Sequence, residues 1–207
     1  ADATSRAVAD QYEQNPYPRW GRLPALGAPV VADSWLAPHL PVRQVALDIL
    51  IAGCGTGHQS ILFAQGFPAA QILAVDLSLS SLAYAKDKSR AMALERIDYA
   101  QADILELGAI DKRFDIVSSS GVLHHLADPA KGWRVLLSLL RPDGLMHIGL
   151  YSALARRNIA KAREFVTARG HGSSADDIRR ARQELAAAAA SEPAFVDVIR
   201  YPDFYAT

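Results

Sequence analysis

Cysteine is all but missing from this 207-residue chain: Cys54 stands alone. A single thiol excludes a disulfide framework and a cysteine-built zinc cluster, and no metal is expected. An excess of charge of either sign is missing too. Lys plus Arg number 22 and Asp plus Glu number 22, so no global field draws the chain to nucleic acid or an anionic membrane. No apolar run approaches membrane-spanning length and no signal peptide is visible, which makes cytoplasmic the expected location. Internal repeats are absent. The chain opens on Ala1 rather than Met, which reads as a processed or excised piece of something larger.

What remains suits one α/β domain, since this length suffices to bury a full core. Residues 1–44 read as an arm in which Pro16 and Pro18 interrupt any strand or helix, after a short helix over 4–14. Tyr12, Tyr17, Arg19 and Trp20 in this arm either close as a lid or pack it against the surface. From residue 45 the pattern changes. Residues 45–52 are nearly continuously apolar, as in a strand buried on both faces of a parallel sheet. A helix over 58–65, a strand over 71–75, a helix from the Ser78 cap to about 90, and strands over 97–101 and 114–119 follow. Asp128-Pro129 caps another helix, with Trp133, Leu136, Leu137 and Leu140 along one face. Pro142-Asp143-Gly144 then turns the chain into a fifth strand over 145–151.

Strands alternating with helices predict a doubly wound, mainly parallel sheet with ligands at its carboxyl ends. Residues 45–152 form this core. Residues 153–207 read as a helical segment, with Ser174 and Asp177 as a capping box and 195–201 as helix or irregular structure. Arg156, Arg157, Lys161, Arg163 and Arg169 are expected on the solvated face of a helix.

The chemistry concentrates at the strand ends. Gly53-Cys54-Gly55-Thr56-Gly57 joins a buried strand to a helix, where the chain turns tightly and a ligand approaches its backbone. Asp76 ends the second strand, as a carboxylate that accepts both ribose hydroxyls or as a helix cap. His58 stands where a dinucleotide fingerprint needs its third glycine. Asp103, a second acid, ends the third strand.

Four motifs in this order resemble the class I S-adenosylmethionine-dependent methyltransferases: Ile49 to Gly57, Ala74 to Ser78, Gln101 to Ile104 and Phe114 to Leu126. The resemblance implies a Rossmann-like sheet of seven strands. About five are present here and the last two are expected to be missing. It implies S-adenosyl-L-methionine as cofactor, held by Gly53, Cys54, Gly55, Gly57, Asp76, Leu77, Asp103, Ile104, Ser120 and Gly121. The fourth motif is most similar to small-molecule methyltransferases of quinone biosynthesis, which implies a small-molecule acceptor. The residues from Gln11 to Trp20, and from Leu150 to Glu184, resemble the flanks of methyltransferase domains in bacterial proteins with upstream tetratricopeptide repeats. Self-association, or an absent upstream repeat domain, is the partner this implies. One departure stands out: Ile51 occupies the position where the family carries an acid, and Asp48, three residues from it along a strand, faces the other way.

His124 and His125, past the fourth strand, are candidate general bases for an acceptor that must lose a proton. Their structural alternative is packing beneath the loop. No role falls to His147 or His171, and Cys54 fills a position that wants a small side chain rather than a nucleophile. Three functions compete: a methyltransferase, a degenerate methyltransferase fold acting as a binding module, and a nicotinamide-dependent dehydrogenase, which His58 opposes.

Overall fold

Four consecutive residues with no exposed surface, Ile49, Leu50, Ile51 and Ala52, make β1 (Asp48–Ala52) the centre of the structure. A strand covered on both faces needs apolar side chains at every position. In the computed structural model, which describes residues 3–14, 16–18, 20, 46–172, 174–201 and 204, β1 lies between β2 (Gln71–Asp76) and β4 (Phe114–Ser120). β3 (Ile97–Gln101) and β5 (Leu140–Gly149) complete a five-stranded sheet of order β3-β2-β1-β4-β5, parallel throughout. The expected doubly wound architecture is present, with its switch point between β1 and β4. Val45, the expected start of the first strand, lies outside the described residues, as does Arg19.

Helices cover both faces. On one, α2 (His58–Gly66) and α3 (Leu79–Ala91) bring Ile61, Phe63 and Leu82 against Ile49, Ile51, Ile72 and Ile116. On the other, a 3-10 turn (Ile104–Ala109) and α4 (Pro129–Ser138) bring Ile104, Leu107 and Leu136 against Leu50, Val75 and Val117. The amino-terminal helix α1 (Ala3–Gln14) precedes them in the chain. Ser78 and Asp128 cap α3 and α4, each side chain accepting from the N–H three residues on.

Two expectations need correction. β5 begins at Leu140 rather than 145, because Pro142-Asp143-Gly144 is an irregularity inside the strand and not a turn before it. Leu140 pairs with Phe114 and Leu145 with Ile116, and Asp143 takes a φ of 61°. An edge strand tolerates a proline there. The buried face of α4 also differs: Gly132 and Leu136 are buried, whereas Trp133 and Leu137 are 41% and 54% exposed. The helix ends at Ser138, so Leu140 belongs to the sheet and anchors no helical stripe.

At the foot of the sheet Asp48 is drawn into an ion network. Arg141 donates to Asp48 at 2.8 Å and to Asp115, Lys112 lies 3.1 Å from Asp48, and Asp115 accepts the Asp48 N–H at 2.8 Å. Asp48 therefore does no work at the glycine loop.

The chain divides into two units, residues 1–150 and 151–207. The second is helical, as expected: α5 (Arg157–Ala168), α6 (Ala175–Ala188) and α7 (Pro193–Arg200). Its own small core joins Ala162, Leu185, Ala194, Phe195 and Val198, and the Phe165 and Phe195 rings meet edge to face at 4.9 Å. Ser174 caps α6 through the Asp177 N–H at 3.1 Å. Arg157, Lys161, Arg163 and Arg169 are exposed and Arg156 is half-buried.

The two leucines of α4 test this packing. Leu136→Ala should cost roughly 2–5 kcal/mol of folding stability, as large-to-small core changes do, and Leu137→Ala less than about 1 kcal/mol. Urea denaturation of both variants measures the difference, and equal losses would contradict the assignment of the buried face.

Candidate cofactor site

The loop after β1 is built backwards from β2. Gly53 and Cys54 both donate their N–H groups to the Val75 carbonyl, at 2.8 and 2.9 Å, which folds the loop over the end of the neighbouring strand. Gly53, Gly55 and Gly57 take φ values of 78°, 50° and 82°, where a side chain is strained. Space forbids one as well. A Cβ on Gly53 would lie 2.3 Å from Val122 Cγ2, and one on Gly57 2.6 Å from Ala85 Cβ.

Asp76 ties this loop to the next helix. Its Oδ2 accepts the Gly55 N–H at 2.7 Å and its Oδ1 accepts the Ser78 N–H at 3.0 Å. Burial pushes its pKa up, while the N–H groups of Ser78, Gly55 and Leu77 pull the other way. Each carboxylate oxygen carries further lone pairs, so both N–H bonds leave capacity for a diol. The helix-cap alternative is answered directly: Ser78 supplies the cap of α3, accepting from the Ser81 N–H at 3.0 Å.

Asp103 is 5% exposed. Its Oδ1 accepts the Leu105 N–H at 2.9 Å, starting the 3-10 turn, and its Oδ2 is buried with no hydrogen-bond partner among the described residues. The adjacent Ala102 N–H donates to the Asp76 carbonyl at 3.0 Å, which brings the two acids to one end of the sheet. A buried acceptor left without a donor costs about 1–3 kcal/mol.

The remaining expected residues divide between mouth and core. Gly121 has a φ of 74°, and its N–H donates to the Gly149 carbonyl at 2.9 Å; open space surrounds the place of its absent Cβ. Ser120 is exposed at the end of β4 and Leu77 is half-buried, its carbonyl accepting from Gln101 Nε2 at 2.9 Å. Cys54 and Ile104 instead place their side chains in the two cores. Burial, with the Asp76 charge adding to it, pushes the Cys54 thiol well above its usual range, which removes the thiolate a nucleophile needs.

His124 and His125 follow β4 in a 3-10 turn, their rings 4.2 Å apart. His125 Nε2 lies 3.3 Å from the Tyr12 hydroxyl of α1, and burial lowers its pKa. His147 gains a place that the sequence did not assign: its Nδ1 lies 2.9 Å from Ser118 Oγ and 3.4 Å from Gln59 Nε2. Ile51 and Ser118 are register partners, as are Ser118 and His147, so this polar cluster stands in one row with Ile51. Glu13, missed altogether, accepts from Ser78 Oγ at 2.8 Å, Ser80 N at 3.1 Å and Ser80 Oγ at 2.8 Å. These bonds, Ser80's first, hold its carboxyl below the usual range. Its signal in the sequence was only a charge one helical turn before a proline-rich stretch. Among the described residues no cluster of three or more His, Cys, Asp or Glu is placed to hold a metal ion, and no helix is long and apolar enough to cross a membrane.

Residues 50–148, from the glycine strand to β5, match the methyltransferase domain family. This match, with a trans-aconitate 2-methyltransferase and probable S-adenosylmethionine-dependent methyltransferases among the relatives, supports a class I S-adenosylmethionine-dependent methyltransferase domain. Over 190 residues the chain is 30% identical to an uncharacterised protein of Synechococcus, covering 80% of this chain and 41% of that protein. Over 150 residues it is 35% identical to a trans-aconitate 2-methyltransferase of Deinococcus radiodurans, covering 70% and 54%. The chain thus spans about half the length of these curated relatives. Among solved structures it is similar to PKMT2 from Rickettsia typhi in complex with AdoHcy, with a TM-score of 0.61 and 24% identity over 73% of this chain and 29% of that one. That likeness carries the methyltransferase fold.

The two oxygens of Asp103 predict separable effects. Asp103→Asn keeps one acceptor for the Leu105 N–H, so folding stability should stay within about 0.5 kcal/mol, whereas Asp103→Ala loses a cap valued at about 1 kcal/mol. Both should weaken S-adenosylhomocysteine, because neither retains a free buried acceptor. Thermal denaturation and calorimetric titration read the two quantities, and full affinity in Asp103→Asn would remove Oδ2 from the site.

Proposed function

We propose that the domain binds S-adenosyl-L-methionine and transfers its methyl group to a small molecule. The observation that carries the cofactor reading is the buried Oδ2 of Asp103, which has no hydrogen-bond partner among the described residues and would accept from an N–H donor of the kind an adenine amino group presents. Asp76 would take the ribose hydroxyls, and the backbone of Gly53 to Gly57 would lie along the amino-acid end. The acceptor reading draws support from the trans-aconitate methyltransferase, whose name specifies a small acceptor.

The cofactor supplies an activated methyl group on a sulfonium, so the chain's tasks are to orient an acceptor in line and to exclude water. Asp76 fixes the ribose by charge-assisted hydrogen bonds. Gly121, with open space about it, lets an acceptor approach the end of β4. Burial lowers the His125 pKa, which favours the neutral imidazole, the form that takes a proton. His125 is our candidate base for a hydroxyl acceptor, with Tyr12 fixing the ring. In this reading residues 1–44 are an arm, 45–152 the cofactor core and 153–207 an inserted helical segment. The flanking sequences support kinship with tetratricopeptide-linked methyltransferases.

Two measurements test the reading. Titration with S-adenosylhomocysteine should give binding and titration with NAD none; the reverse would favour a dehydrogenase, and neither would favour a degenerate module. Asp76→Ala should weaken S-adenosylhomocysteine by about 1.5–3 kcal/mol. The pH dependence has a definite sign. A ribose diol donates to the ionised carboxylate, and burial raises the Asp76 pKa, so wild-type affinity should fall as pH drops through an interval above the ordinary Asp value of about 3.9. Asp76→Asn should lack this acidic limb, and an unchanged limb in that variant would assign the titration elsewhere.

A further inference from the structure

The glycine loop is held from outside as well as from the sheet. Thr56, its fourth residue, has no exposed surface. Its hydroxyl donates to the Pro18 carbonyl, and its own carbonyl accepts from Trp20 Nε1 at 3.3 Å. One residue earlier, a Cβ on Gly55 would come within 2.9 Å of the Tyr17 carbonyl, so the backbone of the arm lies against the loop. Trp20 is itself fixed. The Tyr84 hydroxyl donates to its carbonyl at 2.5 Å, its ring stands edge-on to His58 at 5.7 Å and Tyr84 at 5.9 Å, and Lys88 Nζ sits 5.5 Å above it. The arm thereby links the loop to the first residue of α2 and to the middle of α3. At the end of β1, the fully buried Ile51 offers the loop no polar group.

We propose that the segment around Pro18 and Trp20 is an outer brace that fixes the glycine loop in its cofactor-ready form, with Thr56 and Trp20 as positioning residues. The proposal goes beyond the cofactor reading and rests on it. Three left-handed glycines within five residues give the unliganded loop wide conformational freedom. An unbraced loop would spread over other conformers, and a ligand that needs one conformer loses affinity in proportion to its population. The brace acts on the cofactor through the loop and not by covering the mouth, which separates it from a lid.

Isosteric changes at Thr56 provide the test in the whole chain. Thr56→Val removes the hydroxyl and keeps the shape, Thr56→Ser keeps the hydroxyl, and Trp20→Phe removes the indole donor and keeps a ring. Loss of a buried hydrogen bond of this kind should weaken S-adenosylhomocysteine about tenfold in Thr56→Val. Thr56→Ser should stay within about twofold of wild type, and Trp20→Phe should fall with Thr56→Val. Amide exchange over residues 53–57 in the ligand-free protein should speed up in the two weakened variants and not in Thr56→Ser. Wild-type affinity together with unchanged loop exchange in both Thr56→Val and Trp20→Phe would overturn the brace. Should Thr56→Val fail to fold, Trp20→Phe carries the same comparison. A wild-type chain that binds no S-adenosylhomocysteine would overturn the cofactor reading instead, and loop exchange would still decide the brace.

Discussion

One carboxylate organises the mouth of this sheet. Asp76 ends β2, yet its oxygens reach back to Gly55 in the loop after β1 and forward to Ser78 at the start of α3. Together with the Val75 carbonyl, which accepts from Gly53 and Cys54, it joins the loop after β1 to the turn after β2. Burial makes its ionised form costly, and the cost to folding appears as pH rises through its raised pKa and is absent below the unfolded value. A buried carboxylate held at such a cost is a pattern typical of functional sites.

Around that carboxylate the amino-terminal arm takes part in the site. Glu13 holds Ser78, and Ser78 in turn both caps α3 and donates its N–H to Asp76. Tyr12 of the same helix meets His125. Sites seated on rigid elements hold geometry better than sites on free loops, and here the loops gain rigidity from a segment remote in sequence. The opposite end of the sheet is closed by charge, with Arg141 joining Asp48 on β1 to Asp115 on β4. These half-buried, partly solvated pairs add modestly to stability.

The core and the order of motifs were legible because parallel strands buried on both faces write themselves as continuous apolar runs, as Ile49 to Ala52 does. Asp76, Asp103 and the three loop glycines were legible because chain reversal and ligand approach demand those residue types at strand ends. Other features follow from contacts distant in sequence and leave little local trace. Trp133 and Leu137 fit a helical period as well as Leu136 does, and only the tertiary fold shows which of them turns outward. Pro142-Asp143-Gly144 has the composition of a turn, and its absorption into an edge strand depends on the pairing of Leu140 with Phe114. Glu13, Thr56 and His147 have partners 65, 38 and 29 residues away, and no spacing rule connects such pairs.

The solitary thiol has a consequence of its own. Cys54 is 7% exposed within the glycine loop, and its protonated form is strongly favoured. A thiol reagent attacks the thiolate, and only where it can reach it. Modification of Cys54 therefore keeps time with the loop's openings, because the native arrangement offers the reagent neither access nor charge. With no second cysteine to blur the signal, the chain carries its own chemical clock for how often the glycine turn lets go of β2.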